Sequence, residues 1–332
     1  MRVLVTGGAG FIGSHYVRTL LAGGFPGYED AAVTVLDALT YAGTLESLAP
    51  VAGDPRLRIV RGDIRVAADL DTALSGCDVV VNFAAESHVD RSLHAAADFV
   101  STNVLGAQQV FEAALRHGVR KVVQVSTDEV YGSIDEGSWA EDCPLEPNSP
   151  YAASKAAADL IARSYARTYG LDVSVTRGSN TYGPFQFPEK IVPLFVTRLL
   201  DGEPVPVYGD GGHVRDWLHV DDHCRGIQTV LEKGHPGEAY NLAGGSALSN
   251  LELTARLLAA TGRDASLVRH IPDPRGGAHD RRYAVDDSRA RALGWQPRVP
   301  FDAGLADTVT WFRENRDWWE PLRARVDAAP LD

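Results

Sequence analysis

Two short stretches of this 332-residue chain carry side chains able to move protons. The first, STDEVYG, sets Ser126, Thr127, Asp128 and Glu129 in a row behind the apolar run Val122–Val125. The second, YAASK, sets Tyr151 and Lys155 four apart, on one face of a helix. An ammonium beside a phenol favours the phenolate, so Tyr151 with Lys155 is a candidate general base. Two carboxyls can divide acid and base work when their surroundings push their pKa values apart. Asp128 and Glu129 are candidates for that division, and all six groups could meet around one small substrate.

Such a meeting requires a scaffold, and the chain supplies one in order. Arg2 to Thr6 alternates into a short strand, GGAGFIG follows, and HYVRTLLAGG has helical spacing. Gly7, Gly10 and Gly13 sit where a dinucleotide fingerprint needs them, and backbone N–H groups at the helix start can face a pyrophosphate. Asp37 ends the next apolar run. An acid there suits a ribose 2′-hydroxyl and repels a 2′-phosphate, which favours NAD over NADP. Asp63 follows the next strand and could contact adenine. Asp78–Phe83 is continuously apolar, as in a parallel sheet covered on both faces. Ala97–His117 is helical in spacing, and Pro150 fits a helix start.

Strands alternating with helices imply an α/β, Rossmann-type doubly wound parallel sheet. Its carboxyl edge would be lined by Gly7–Ile12, Asp37, Asp63, Ala84–Ser87 and Thr127–Glu129. After RGSNTYGPFQ, Pro and Gly become frequent and elements short. A helix is expected near Ile191–Leu200, another from Asp221, then a strand in EAYNLAGG that could rejoin the sheet. Asn250 opens a further helix, and Asp302–Trp319 reads as one more. The expected layout is a nucleotide-binding domain at 1–178, rejoined by about 219–243, and a smaller α/β substrate-binding cap at 179–332.

Composition excludes some partners. A net charge of −12 argues against nucleic acid or an acidic membrane surface. Cys77, Cys143 and Cys224 form no CxxC and no even framework, which fits a reducing compartment and offers no metal site. No apolar run approaches the ~18 residues of a membrane span. A cytoplasmic protein is expected. Lysine occurs only at Lys121, Lys155, Lys190 and Lys233 beside many arginines, a bias of GC-rich bacterial genomes.

With these pieces placed, nearly the whole chain resembles the extended short-chain dehydrogenase/reductase family, and within it the dTDP-glucose 4,6-dehydratases. TGGAGFIGS, AAESHVDRS, STDEVYG, SPYAASKAAAD, YGPFQFPEKIVPLF, VRDWLHVDD and HDRRYAVD carry the resemblance. The Tyr151/Lys155 motif marks the superfamily, whereas Thr127-Asp128-Glu129 marks the dehydratases. The resemblance implies bound NAD and an internal redox cycle. Tyr151, aided by Lys155, would deprotonate the sugar 4-hydroxyl, which Thr127 would orient. Glu129 would take the C5 proton, and Asp128 would protonate the departing 6-hydroxyl.

By motif, the resemblance adds Phe11, Ile12, Thr40, Ile64, Ala84, Thr102, Tyr151 and Lys155 to the cofactor contacts. It implies Ser87, Thr127, Asn180, Lys190, Tyr208, Arg215, Asn250, His279 and Tyr283 as contacts of a dTDP-sugar, with Lys190 and Arg215 chemically apt for the diphosphate. It also implies a homodimer through a helix bundle. His88 is read as structural support, and Trp311, Trp318 and Trp319 as packing. Two departures stand out: Thr181 replaces the second Asn of SNNYGP, and 273–280 differs in length from the usual DRPGHD, so Arg275 and Gly276 receive no role. These departures fit a specialised deoxysugar pathway. The alternatives are a nucleotide-sugar 4-epimerase on the same scaffold and a non-catalytic NAD-binding regulator.

Overall fold

The structure, a computed structural model, describes residues 1–328. Strand β1 (Arg2–Thr6) enters helix α1 (Phe11–Leu21) through the glycine turn, and β2 (Ala32–Asp37), β3 (Leu57–Arg61), α2 (Ala67–Leu74) and β4 (Val79–Asn82) follow. Then come α3 (Val89–His94), α4 (Ala96–Phe99), α5 (Ala107–Arg116), β5 (Lys121–Thr127), α6 (Pro150–Tyr169) and β6 (Val173–Gly178). These strands, with β10 (Ala239–Leu242), form one seven-stranded sheet ordered β10-β6-β5-β4-β1-β2-β3. All its pairings are parallel. Strand order reverses between β1 and β4, which opens a crevice at their carboxyl ends.

Valines dominate the central strands because both faces are covered. One core joins β1, β2 and β4 to α1 and to α8 (Val220–Lys233), through Val5, Val35, Val81, Tyr16, Leu20 and Ile227. The other joins the opposite face to α2, α5 and α6, through Leu4, Val80, Val122, Phe111 and Ala162. A third core belongs to the second half of the chain. It unites α7 (Ile191–Leu200), α9 (Asn250–Thr261) and α11 (Phe301–Glu314) around Phe195, Leu257, Phe312 and Trp319. Small sheets containing β7 (Asn180–Tyr182), β8 (Val205–Tyr208), β9 (Val214–His219), β11 (Ala247–Ser249) and β12 (Val268–Ile271) complete this half.

Two expected elements differ in form. The segment read as a single helix at 97–117 is α4 and α5 joined by a π-helical stretch, Val100–Gly106. Within it Asn103 is buried and bonds in three directions: to the Glu86 amide, the Glu86 carbonyl and Ser154 Oγ. The wider turn lets one side chain hold both the loop after β4 and the start of α6, and π-bulges recur where function demands such geometry. The terminal helical segment is likewise two helices, α11 and α12 (Arg316–Ala328), broken at Asn315. Trp311 and Trp318 pack on Phe185, and Trp319 is fully buried, so the tryptophans are packing groups.

Candidate active site

Helix α6 begins where its sequence says it should. Ser149 Oγ accepts from the Ala152 amide at 3.1 Å, Pro150 occupies the first turn, and Gly170 closes the helix at φ 70. This phase turns Lys155 inward against β5, where its Nζ donates to the Val125 carbonyl at 2.7 Å. Tyr151, one turn earlier, lies edge-on to Phe99. Strand β5 ends at Thr127, whose Oγ1 accepts from the Glu129 amide at 3.2 Å and starts a single 3-10 turn, Asp128–Tyr131. Tyr131 anchors that turn from below, donating to Asn241 and accepting from the buried Arg177, itself paired with Asp159.

Both halves of the chain face one cavity of about 840 Å³. Every cofactor and substrate residue expected above borders it, and so do Thr127, Asp128 and Glu129. The β1–α1 end has a bare cradle. Gly7 sits at φ +65, and a Cβ on Gly13 would lie 2.3 Å from the Gly7 carbonyl oxygen. No side chain caps α1, so its first amides remain available to an anion. Asp37 is fixed by the amides of Ala9 (2.9 Å) and Leu39 (2.8 Å). Asp63 is held by Arg65, on its own backbone and side chain. This donor set fits a dinucleotide.

The opposite end is cationic. Lys190 Nζ donates to the Ser87 carbonyl at 2.6 Å, and Arg215 lies 4.2 Å over the Tyr283 ring while bonding the Asp280 carbonyl. Asn180 Oδ1 is buried without a hydrogen-bond partner. Asn250 borders the cavity from the first turn of α9, its amide bonded to the His213 carbonyl. The His213 and His279 rings stack in parallel at 3.6 Å, and His279 bonds Asp273 at 2.6 Å. These three residues could together hold a cation, but parallel rings do not point their in-plane lone pairs at one spot. The arrangement serves instead to fix His279, whose ring also meets Tyr208 edge-on.

Electrostatics separate the two carboxyls. Burial, then the neighbouring Glu129 and Asp216 charges, pushes Asp128 well above the usual carboxylate range. Burial also raises Glu129, but Arg215, Lys190 and Arg275 pull it back. Asp128 Oδ2 has no partner. The sequence-based expectation for Tyr151 is not met in this state. Burial and then the Glu129 charge raise its pKa, and only a hydrogen bond with Thr127 opposes them. Lys155, engaged with the Val125 carbonyl, is itself lowered to about 8 by burial.

Several cavity residues escaped sequence reasoning. Arg275, from the loop of unusual length, pairs with Asp90 and borders the cavity beside Tyr208. Its signal was an arginine in a loop that the dehydratase resemblance made prominent, but the changed length hid the register. His88, read as support, also borders the cavity, with Nδ1 buried and unpartnered. His223 was not singled out at all.

A Rossmann sheet, a bare glycine cradle and, on the helix after β5, a half-buried Tyr151 with a buried Lys155 define a nucleotide-cofactor enzyme of the short-chain dehydrogenase/reductase type. A family model described as GDP-mannose 4,6 dehydratase matches residues 4–308, and the chain belongs to that family. A dTDP-glucose 4,6-dehydratase of Streptomyces niveus is 54% identical over 99% of this chain and 97% of its own length. One from Streptomyces antibioticus is 58% identical over 98% and 96%. Among solved structures, the dTDP-glucose 4,6-dehydratase DesIV of Streptomyces venezuelae, with NAD bound, superposes with a TM-score of 0.95 at 60% identity, covering 97% of this chain and 100% of that one. A UDP-glucose 4-epimerase of Thermotoga maritima superposes at 0.86 and 33% identity, over 95% and 100%.

Proposed function

We propose that this protein is an NAD-dependent dTDP-glucose 4,6-dehydratase, a hydro-lyase that yields dTDP-4-keto-6-deoxyglucose. The observation that carries the reading is the turn at Thr127–Glu129. It presents two carboxyls in unlike surroundings to the same cavity as Tyr151 and Lys155. A 4-epimerase shares the cavity but has no task for that pair.

The nicotinamide, when bound, accepts the hydride of sugar C4 and later returns one to C6. Tyr151 takes the proton of the 4-hydroxyl, and Thr127, hydrogen-bonded to it, aligns that hydroxyl. Lys155, one helical turn after Tyr151 and held on the Val125 carbonyl, would favour the phenolate once the substrate is seated. A ketone at C4 acidifies the C5 hydrogen, and Glu129 removes it. Asp128, kept protonated by burial, gives its proton to the departing 6-hydroxyl. Glu129 then returns a proton, exchanged with solvent, to C5, and the proton that Tyr151 took restores Asp128, by way of solvent, for the next turnover. Lys190, Arg215 and Arg275 hold the diphosphate, and Asn180 accepts a hydrogen bond from the substrate.

Turnover in heavy water decides between the readings. The dehydratase incorporates deuterium at C5 and moves the C4 hydrogen to C6; a product with no solvent deuterium removes the proposal. The base is recognised by backbone around Pro206–Tyr208, and calorimetry with dTDP against UDP measures that preference.

The similarity to Streptomyces dehydratases, the GC-rich bias and the altered 273–280 loop support a specialised deoxysugar pathway, such as that of an antibiotic. Deleting the gene should then abolish a secreted glycosylated metabolite, and loss of cell-wall rhamnose alone would reject this. We place the enzyme in the cytoplasm, where its NAD and nucleotide sugar are made; no helix among the described residues is long and apolar enough to cross a membrane. We also assign it a homodimer, because Val100, Leu105, Leu160 and Tyr169 are exposed large apolar residues on the α4–α5 segment and α6.

A further inference from the structure

His223 occupies the cavity wall below the catalytic turn, on the first half of α8. A Cβ on Gly178 would lie 2.5 Å from its Nε2 and Cε1, so the ring rests against the last residue of β6. Gly178 pairs in register with Thr127, which brings this ring to the floor beneath the reacting groups. His223 is 2% exposed, and its Nε2 has no hydrogen-bond partner. An unpaired buried ring nitrogen is costly unless something later pairs with it.

The other ring nitrogen bears on what that partner is. His223 Nδ1 meets Thr181 Oγ1 at 2.7 Å. That hydroxyl also lies 3.1 Å from the Ser179 carbonyl, and when its single proton is donated there it accepts from Nδ1–H. In that arrangement Nε2 is a bare acceptor on a neutral ring, and burial holds the ring neutral by lowering its pKa to about 4. The cavity that His223 borders is where a bound group could bring the missing donor. Resting on the proposed binding of NAD here, we infer that His223, with its tautomer set by Thr181, accepts a hydrogen bond from the carboxamide NH2 of the cofactor's nicotinamide and so fixes which way the ring faces. This gives Thr181 a task as a positioning residue, and makes His223 a cofactor-binding one.

The test compares NAD with ADP-ribose, which lacks the nicotinamide, by titrating full-length protein stripped of cofactor. His223→Phe keeps the ring volume and removes both nitrogens. Its Kd for NAD should rise about tenfold, the size of one lost hydrogen bond, while its Kd for ADP-ribose stays within about twofold. His223→Gln, which restores an acceptor oxygen, should recover most of the NAD affinity. Unchanged NAD binding in His223→Phe, equal weakening of both ligands, or no recovery in His223→Gln overturns the inference. If His223→Phe does not fold, Thr181→Val, which frees the tautomer, carries the same comparison. Failure of the wild type to bind ADP-ribose would instead remove the cofactor reading beneath it.

Discussion

Asp128 and Glu129 are consecutive residues of one turn, yet their carboxyls lie in opposed electrostatic settings. Glu129 faces Arg215, Lys190 and Arg275, which offset part of the rise that burial causes. Asp128 is fully buried and feels Glu129 and Asp216 as well, so it keeps its proton to higher pH. One turn thus supplies an acid and a base, which is what simultaneous removal of a proton and a hydroxide requires.

Removing either carboxyl should separate the steps. Asp128→Asn should retain exchange of the C5 hydrogen with solvent deuterium while product formation falls by about 10²–10⁴-fold. Glu129→Gln should lose both. Following exchange and product in one NMR time course checks this, and identical behaviour of the two variants would contradict the division of labour.

Tyr151→Phe should reduce kcat by about 10³-fold, the range for removing a positioned general base, with NAD still bound. Retention of near wild-type kcat would place the base elsewhere. Bound cofactor is measured by its absorbance after gel filtration.

Lys155 ties activity and stability to pH in opposite directions. Burial lowers it from 10.5 to about 8. The unfolded chain therefore binds this proton more tightly than the folded one. Stability from this group rises between about pH 8 and 10.5 and is lost as pH falls through that window. Activity needs the charge, so kcat should fall above about pH 8. Lys155→Met should raise Tm at pH 7 and abolish turnover. A flat kcat profile from pH 7 to 10, or a lowered Tm in Lys155→Met, would count against this account.

Arg275 reaches the cavity from a loop 185 residues beyond its partner Asp90. Arg275→Ala should raise the KM for the nucleotide sugar about tenfold or more and leave kcat within about threefold, as for loss of a charge-assisted contact to a bound phosphate. Arg275→Lys should recover part of the loss. Initial rates over a range of substrate concentration separate the two constants.

The proposed dimer rests on the exposed apolar residues of the stretch leading into α5 and of α6. Leu105→Glu with Leu160→Glu should shift the species seen by light scattering from dimer to monomer. A wild-type monomer at micromolar concentration would remove the assignment.

Much of this was legible without coordinates. The glycine spacing, the acid ending β2, the Pro150 helix start and the four-residue spacing of Tyr151 and Lys155 are local patterns, and local patterns survive folding unchanged. The π-helical stretch was not legible, since its periodicity differs little from an α-helix and its cause is Asn103 reaching two distant segments. Nor was the Asp90–Arg275 pair, because a loop of altered length conceals register.

The order of residue types along the chain determined the scaffold, the glycine cradle and which residues are candidates for acid–base work. Hydrophobic periodicity, turn chemistry and i,i+4 spacing act over a few residues. Tertiary structure alone decided which groups hold protons. It raised Tyr151, divided Asp128 from Glu129 and left His223 with one open nitrogen. Burial and Coulomb interaction depend on distances between segments that only the folded chain brings together.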